Sequence, residues 1–184
     1  MVSAFVGGSV HDWYRTSIIQ HAVSADPLGP YVIAGTALNG TGNRADFDAT
    51  GVHNPQVVKL HREPVYLLFY IGLNCLALPG KDCERFQSIG VASASSPAGP
   101  WQRLGSAIIA PRATDSKECV MRGRLQWCVV ANPSAVVHDD DSVTLFYRGV
   151  LDNAILQKFA ASWKGPYVRS QGSVINTLAW QVED

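Results

Sequence analysis

Apolar residues along this chain come in short runs, and no long stretch holds the 3.6-residue period of a capped amphipathic helix. Val57 to Leu60 is a brief β-branched run. Val65 to Ile71 is rich in aromatic and branched residues and is bounded by Pro64 and Gly72, as a buried strand should be. Ile89 to Ser95 mixes small residues with β-formers, and Trp101 to Ile109 follows a Gly-Pro turn. Glu63-Pro64, Pro79-Gly80 and Ala98-Gly99-Pro100 supply the breaks between runs. The pattern predicts a unit of four short antiparallel strands.

The unit recurs. Ser24-Ala-Asp-Pro-Leu-Gly-Pro-Tyr31, Ser93-Ala-Ser-Ser-Pro-Ala-Gly-Pro-Trp101 and Ser162-Trp-Lys-Gly-Pro-Tyr167 are versions of one phrase. A second phrase recurs out of phase with it: Asn54-Pro-Gln-Val-Val-Lys-Leu60 matches Asn132-Pro-Ser-Ala-Val-Val137, at an offset of 78. Tyr66-Leu-Leu-Phe-Tyr-Ile-Gly72 likewise matches Val143-Thr-Leu-Phe-Tyr-Arg-Gly149, at an offset of 77. A repeated four-stranded antiparallel unit describes a β-propeller blade. Residues 17–38 then hold the last two strands of one blade, 52–110 a full blade, 130–176 another, and 177–184 the start of the next. Closed propellers have about four to eight blades. The expectation is an all-β, incomplete propeller of about two and a half blades.

Composition narrows the partners. The 184 residues carry 15 Lys+Arg against 15 Asp+Glu, so the field of the whole chain gives no reason to expect nucleic acid or an anionic membrane. Hydrophobic residues at 47% suffice for a core and exclude intrinsic disorder. No apolar run approaches the roughly 18 residues of a spanning helix. The first ten residues lack the basic region of a signal peptide. No Cys-x-x-Cys pair occurs, which disfavours a zinc ribbon. The cysteines fall into two close pairs, Cys75 with Cys83 and Cys119 with Cys128. Two readings stand: local disulfides of a secreted protein, or four unrelated thiols.

The phrases Tyr66 to Gly72 and Ile89 to Trp101 resemble those of the five-bladed β-propeller glycoside hydrolases, nearest to family 43 and its relatives, families 32, 62, 68 and 117. Phe47-Asp-Ala-Thr-Gly-Val-His-Asn-Pro55 and Ala131-Asn-Pro-Ser134 look like blade openings of that group. Val182-Glu-Asp184 looks like the start of a further Glu-Asp-Pro opening. The resemblance covers nearly all of this chain and about half of a complete five-bladed ring. It implies a funnel-shaped axial pocket in which separated carboxylates act as general acid, general base and pKa modulator. It also implies a carbohydrate partner, no cofactor or metal, and an extracellular location for the full-length protein. The chain departs from the family at Gln56 and Ser134, where an Asp commonly follows the proline of a blade opening.

By that resemblance the catalytic candidates are Asp48, Glu183 and Asp184, and the substrate-binding candidates are Asp12, Trp13, His53, Asn54, Asn132 and Arg148. Each has a plainer reading. Asp48 is also an Asx-turn residue, Asn54 and Asn132 also cap turns, Trp13 also covers core, and Arg148 also serves as a surface charge. Asp139-Asp140-Asp141, between two strand phrases, reads as a solvated hairpin turn rather than a metal cluster. Gln56 and Ser134 motivate the alternative of a non-catalytic carbohydrate-binding propeller. A protein-interaction propeller ranks last, because kelch and WD signatures are missing. Open blade edges imply self-association.

Overall fold

The computed structural model describes residues 1–7, 10–77, 80–150, 154–169 and 175–176. Three sheets follow one another along the described chain, antiparallel except where β6 and β9 pair in parallel. The first holds β1 (Val2–Phe5), β2 (Ser17–Val23) and β3 (Val32–Leu38), with one helical turn, α1 (Trp13–Thr16), between β1 and β2. The second is a meander of β4 (Gly51–Lys59), β5 (Tyr66–Leu73), β6 (Phe86–Ala94) and β7 (Gln102–Arg103). A hairpin of β8 (Cys119–Arg122) and β9 (Leu125–Val129) joins the beginning of β6, where Phe86 lies opposite Cys128. The third sheet runs through β10 (Ala131–Val137), β11 (Val143–Arg148), β12 (Ala154–Ala160) and β13 (Val168–Arg169), and β14 (Ile175–Asn176) also pairs with β12. The strand β1 is a short run that the hydrophobic pattern did not single out.

The unbroken apolar run of β5 is explained by its position. The middle sheet is covered on both faces, so from Leu67 onward successive side chains pointing opposite ways are all buried. Leu67 and Phe69 pack with Ile89, Val91, Leu145, Tyr147 and Leu156 toward the third sheet. Leu68 and Tyr70 pack with Ile19, Leu38 and Val52 toward the first. At full burial each of these aliphatic or aromatic side chains contributes roughly 1.5–3 kcal/mol. Gly72 and Gly90 leave room for the Phe47 ring, since a Cβ at either would stand 2.5 Å from it.

The recurring phrases fold alike. Gly29, Gly99 and Gly165 all take positive φ ahead of cis prolines. The two Asn-Pro openings also match: Asn54 and Asn132 have φ of 51° and 53°, a left-handed conformation that Asn tolerates better than most residues. Each sits in a bulge where strand pairing slips, between His53 and Gln56 and between Ala131 and Ser134. The bulges bring the two innermost strands, β4 and β10, side by side, and the Asn54 amide donates to Asn132 Oδ1 at 2.7 Å.

Gln56 fixes that pairing. Its Nε2 donates to the Ala135 carbonyl at 3.2 Å, and its Oε1 accepts from the Ala135 N–H at 2.5 Å. An ionised aspartate could only accept, so the residue that departs from the family pattern is suited to a strand-to-strand clamp. At the opposite end of the sheets, Asp141 Oδ1 accepts from the His61 N–H at 2.6 Å and the Arg62 N–H at 3.2 Å. The acidic turn at 139–141 is therefore more than a solvated hairpin, because it latches onto the neighbouring sheet.

Candidate functional site

The starts of β4 and β10 and the end of β11 meet α1 and β1 around a cavity of about 240 Å³. One wall is apolar: Phe5, Val10 and Trp13. The other is polar: His53, Asn54, Gln87, Asn132 and Arg148. The bulges explain why the two asparagines reach it, since a regular strand would alternate its side chains without this kink.

His53 is the most constrained group. It is only 9% exposed, the Trp13 ring lies 4.8 Å from it edge-on, and its Nε2 has no hydrogen-bond partner among the described residues. Burial lowers its pKa to about 4, partly opposed by a hydrogen bond with the Asn54 side chain. The imidazole is therefore neutral at physiological pH. A buried nitrogen without a partner is costly, and the chemistry of this one would suit a ligand hydroxyl.

Of the residues expected to bind substrate, Trp13, His53, Asn54, Asn132 and Arg148 all line this cavity. Asp12 does not: it is exposed and stands outside the lining. Asp48 is also elsewhere. Its side chain is 1% exposed, and Oδ2 takes the Arg103 Nε–H at 2.8 Å and the Tyr70 hydroxyl at 2.9 Å. Arg103 also reaches the Asn39 carbonyl. Burial and the adjacent carboxylate drive the Tyr70 pKa well above its ordinary value, so this hydroxyl stays protonated as a donor to Asp48. Asp48 is thus committed to joining the 39–48 loop to the middle sheet, away from the pocket. Glu183 and Asp184 lie outside the described residues.

Ser3, Phe5, Val10 and Gln87 are pocket residues that the sequence reading missed. None stands in a repeated phrase, so no signal marked them. A second cluster also went unread. Glu118 is fully buried, with Oε1 accepting from Tyr147 at 2.7 Å and Lys158 at 3.1 Å and Oε2 accepting from the Arg112 N–H at 3.0 Å. Arg169 pairs with Asp115 beside it. The network holds the 112–118 loop against the third sheet and lines no part of the axial cavity.

Disulfides brace the loops on the pocket side. Cys75 pairs with Cys83 across the connection from β5 to β6, and Cys119 pairs with Cys128 at the base of the β8–β9 hairpin. A larger depression of about 630 Å³ lies at the other end, beside Arg62, His138 and Asp140. It is a gap between hairpin turns, without a buried unpartnered group.

Several solved structures share this architecture. A family 117 glycoside hydrolase from Zobellia galactanivorans superposes with a TM-score of 0.69 at 19% identity, covering 87% of this chain and 43% of that one. An α-L-arabinofuranosidase from Clostridium thermocellum gives 0.52 at 18% identity, over 94% of this chain and 48% of its own. The fold is a partial five-bladed β-propeller. A family 43 β-xylosidase/α-arabinofuranosidase from a compost metagenome, solved with xylotriose, gives 0.54 at 13% identity over 91% and 52% of the two chains. This partial propeller therefore spans about half the length of the solved structures it matches. No family model matches the sequence, and no curated protein does.

Proposed function

We propose that this partial propeller forms the sugar-binding wall of a family 43-like glycoside hydrolase that acts on oligosaccharides or polysaccharides. The observation that carries the reading is the axial cavity. It sets an aromatic side chain against two asparagine amides and a neutral, unpartnered imidazole nitrogen. Trp13 offers an apolar surface to a ring face, while His53, Asn54 and Asn132 offer donors and acceptors to hydroxyls. The related enzyme solved with xylotriose supports a carbohydrate as the ligand.

Recognition and turnover separate in this reading. Among the described residues, no Asp or Glu lines the cavity. Glycosidic hydrolysis needs one protonated and one ionised carboxyl about the bond. Glu183, in the last blade opening, is the candidate acid of this chain, and Asp184 follows it. Non-catalytic carbohydrate binding is the second reading, favoured by Gln56, which holds a blade-opening position as a strand-to-strand clamp in place of a carboxylate. Titration of oligosaccharides into the protein, alongside hydrolysis assays of the wild type and Glu183→Gln, tests both. Turnover lost with Glu183→Gln while binding persists supports the hydrolase, and binding with no turnover in either protein supports the binding module. No saccharide binding rejects both.

Two further elements belong to this proposal. The disulfides suit an extracellular location. The first sheet leaves Val32 and Ile33 of β3 exposed at 65% and 50%, a surface that favours self-association. Sedimentation velocity should show mass rising with concentration, and a single monomeric species at all concentrations would refute that element.

A further inference from the structure

Asn39-Gly40-Thr41 follows β3 in the form Asn-x-Thr, the acceptor pattern for N-linked glycans. The triplet alone is a weak signal, and the fold accounts for two of its three residues. A Cβ at Gly40 would stand 2.5 Å from the Thr50 carbonyl oxygen, so the chain passes too close there for a side chain. The Thr41 hydroxyl accepts from the Asn43 N–H at 3.2 Å. Asn39 differs. It is exposed, its carbonyl accepts from the Arg103 guanidinium, and no partner among the described residues holds its side chain. Other asparagine side chains are employed: Asn43 with Ala45 and Asp46, Asn74 with the Arg44 and Asp46 carbonyls, and Asn54 with Asn132. Asn132-Pro133-Ser134 has a similar outline, but its central proline disqualifies it as an acceptor.

We propose that Asn39 is an N-glycosylation site, modified as the chain enters a secretory compartment. The inference rests on the extracellular location proposed above, which the two disulfides support. In the transfer, Asn39 Nδ2 attacks the anomeric carbon of an oligosaccharide carried on a polyprenyl diphosphate. The bond from that carbon to the diphosphate oxygen breaks and a carbon–Nδ2 bond forms. Nδ2 gives up a proton, and the lipid diphosphate leaves. The donor and its transferase belong to the secretory compartment. Arg103, which anchors the Asn39 carbonyl, follows it by 64 residues, so the acceptor is open to a transferase before the anchor is made. In the folded protein Asn39 stands just past β3, an edge strand of the first sheet, and outside the lining of the axial cavity. A bulky, solubilising glycan suits such a surface position.

The test is translation of the full chain, behind a cleavable secretory leader, in the presence of eukaryotic microsomes. The protease-protected product should gain the mass of one N-linked glycan. Peptide N-glycosidase should remove that mass and leave an aspartate at position 39, read by peptide mass spectrometry. Asn39→Gln and Thr41→Ala should each abolish the gain. Thr41→Ser keeps a hydroxyl at the recognised position and should retain it, which separates acceptor recognition from an effect on the loop. The readout is taken on the translocated chain and holds even for a variant that fails to fold. A translocated, disulfide-bonded chain without added mass overturns the inference and leaves the extracellular location standing. Added mass that persists in Asn39→Gln also overturns it. Disulfides that fail to form in the translocated chain count against the location instead, whatever the glycan result.

Discussion

Acidification should charge His53 in the unfolded chain well before it does so in the folded one. The ordinary histidine value is 6.5, and burial holds this imidazole at about 4. The folded pKa is depressed, so the unfolded chain takes up the proton first. The stabilising difference is fully present above pH 6.5 and is lost as pH falls from there toward 4. Each pKa unit corresponds to about 1.36 kcal/mol, which makes the loss about 3 kcal/mol over this window. With His53 only 9% exposed, solvent screening removes little of it. Urea denaturation at neutral and acidic pH, in the wild type and His53→Gln, isolates the effect because carboxylate protonation is common to both proteins. The wild type should lose about 2–3 kcal/mol more than the variant on going to about pH 4. An imidazole NMR signal from His53 with a midpoint near 6.5, or equal losses in the two proteins, would refute the reasoning.

Three other perturbations probe the supporting structure. Asp48→Asn removes the charge facing Arg103 and should cost about 2 kcal/mol by urea unfolding, less than a fully buried pair because Arg103 is partly solvated, with saccharide affinity unchanged. Lys158→Met leaves the fully buried Glu118 without its nearest cation and should cost about 3 kcal/mol; Glu118→Gln added to it should recover part of that loss in a double-mutant cycle. Reduction of the disulfides, which span separations of 8 and 9 residues, should cost about 2–3 kcal/mol each and be seen as a lower Tm in thiol reductant.

The sequence carried the propeller because its units repeat. Matching phrases at an offset of 77–78 residues exposed the innermost and second strands, and the unbroken run from Tyr66 to Leu73 belongs to a sheet covered on both faces. The strand β1 lacked any such echo. His53, Asn54 and Asn132 could be singled out because the Asn-Pro phrase places them at strand starts, although the left-handed bulges that turn them together were not legible. Asp48 misled for a physical reason. Its spacing from the blade opening fits a pocket acid, but Arg103, 55 residues away, captures it from the next strands. Contacts of that range, like those joining Glu118 to Tyr147 and Lys158, leave no local pattern.

The most direct measurement is a nitrogen-edited NMR titration of the protein with short oligosaccharides. Sugar binding at the axial cavity should shift the Trp13 indole and the Asn54, Gln87 and Asn132 side-chain amides together, leaving the turn-end residues Arg62 and Asp140 unmoved. Saturable shifts confined to the turn end, or no saturable shift with any oligosaccharide, would contradict the account.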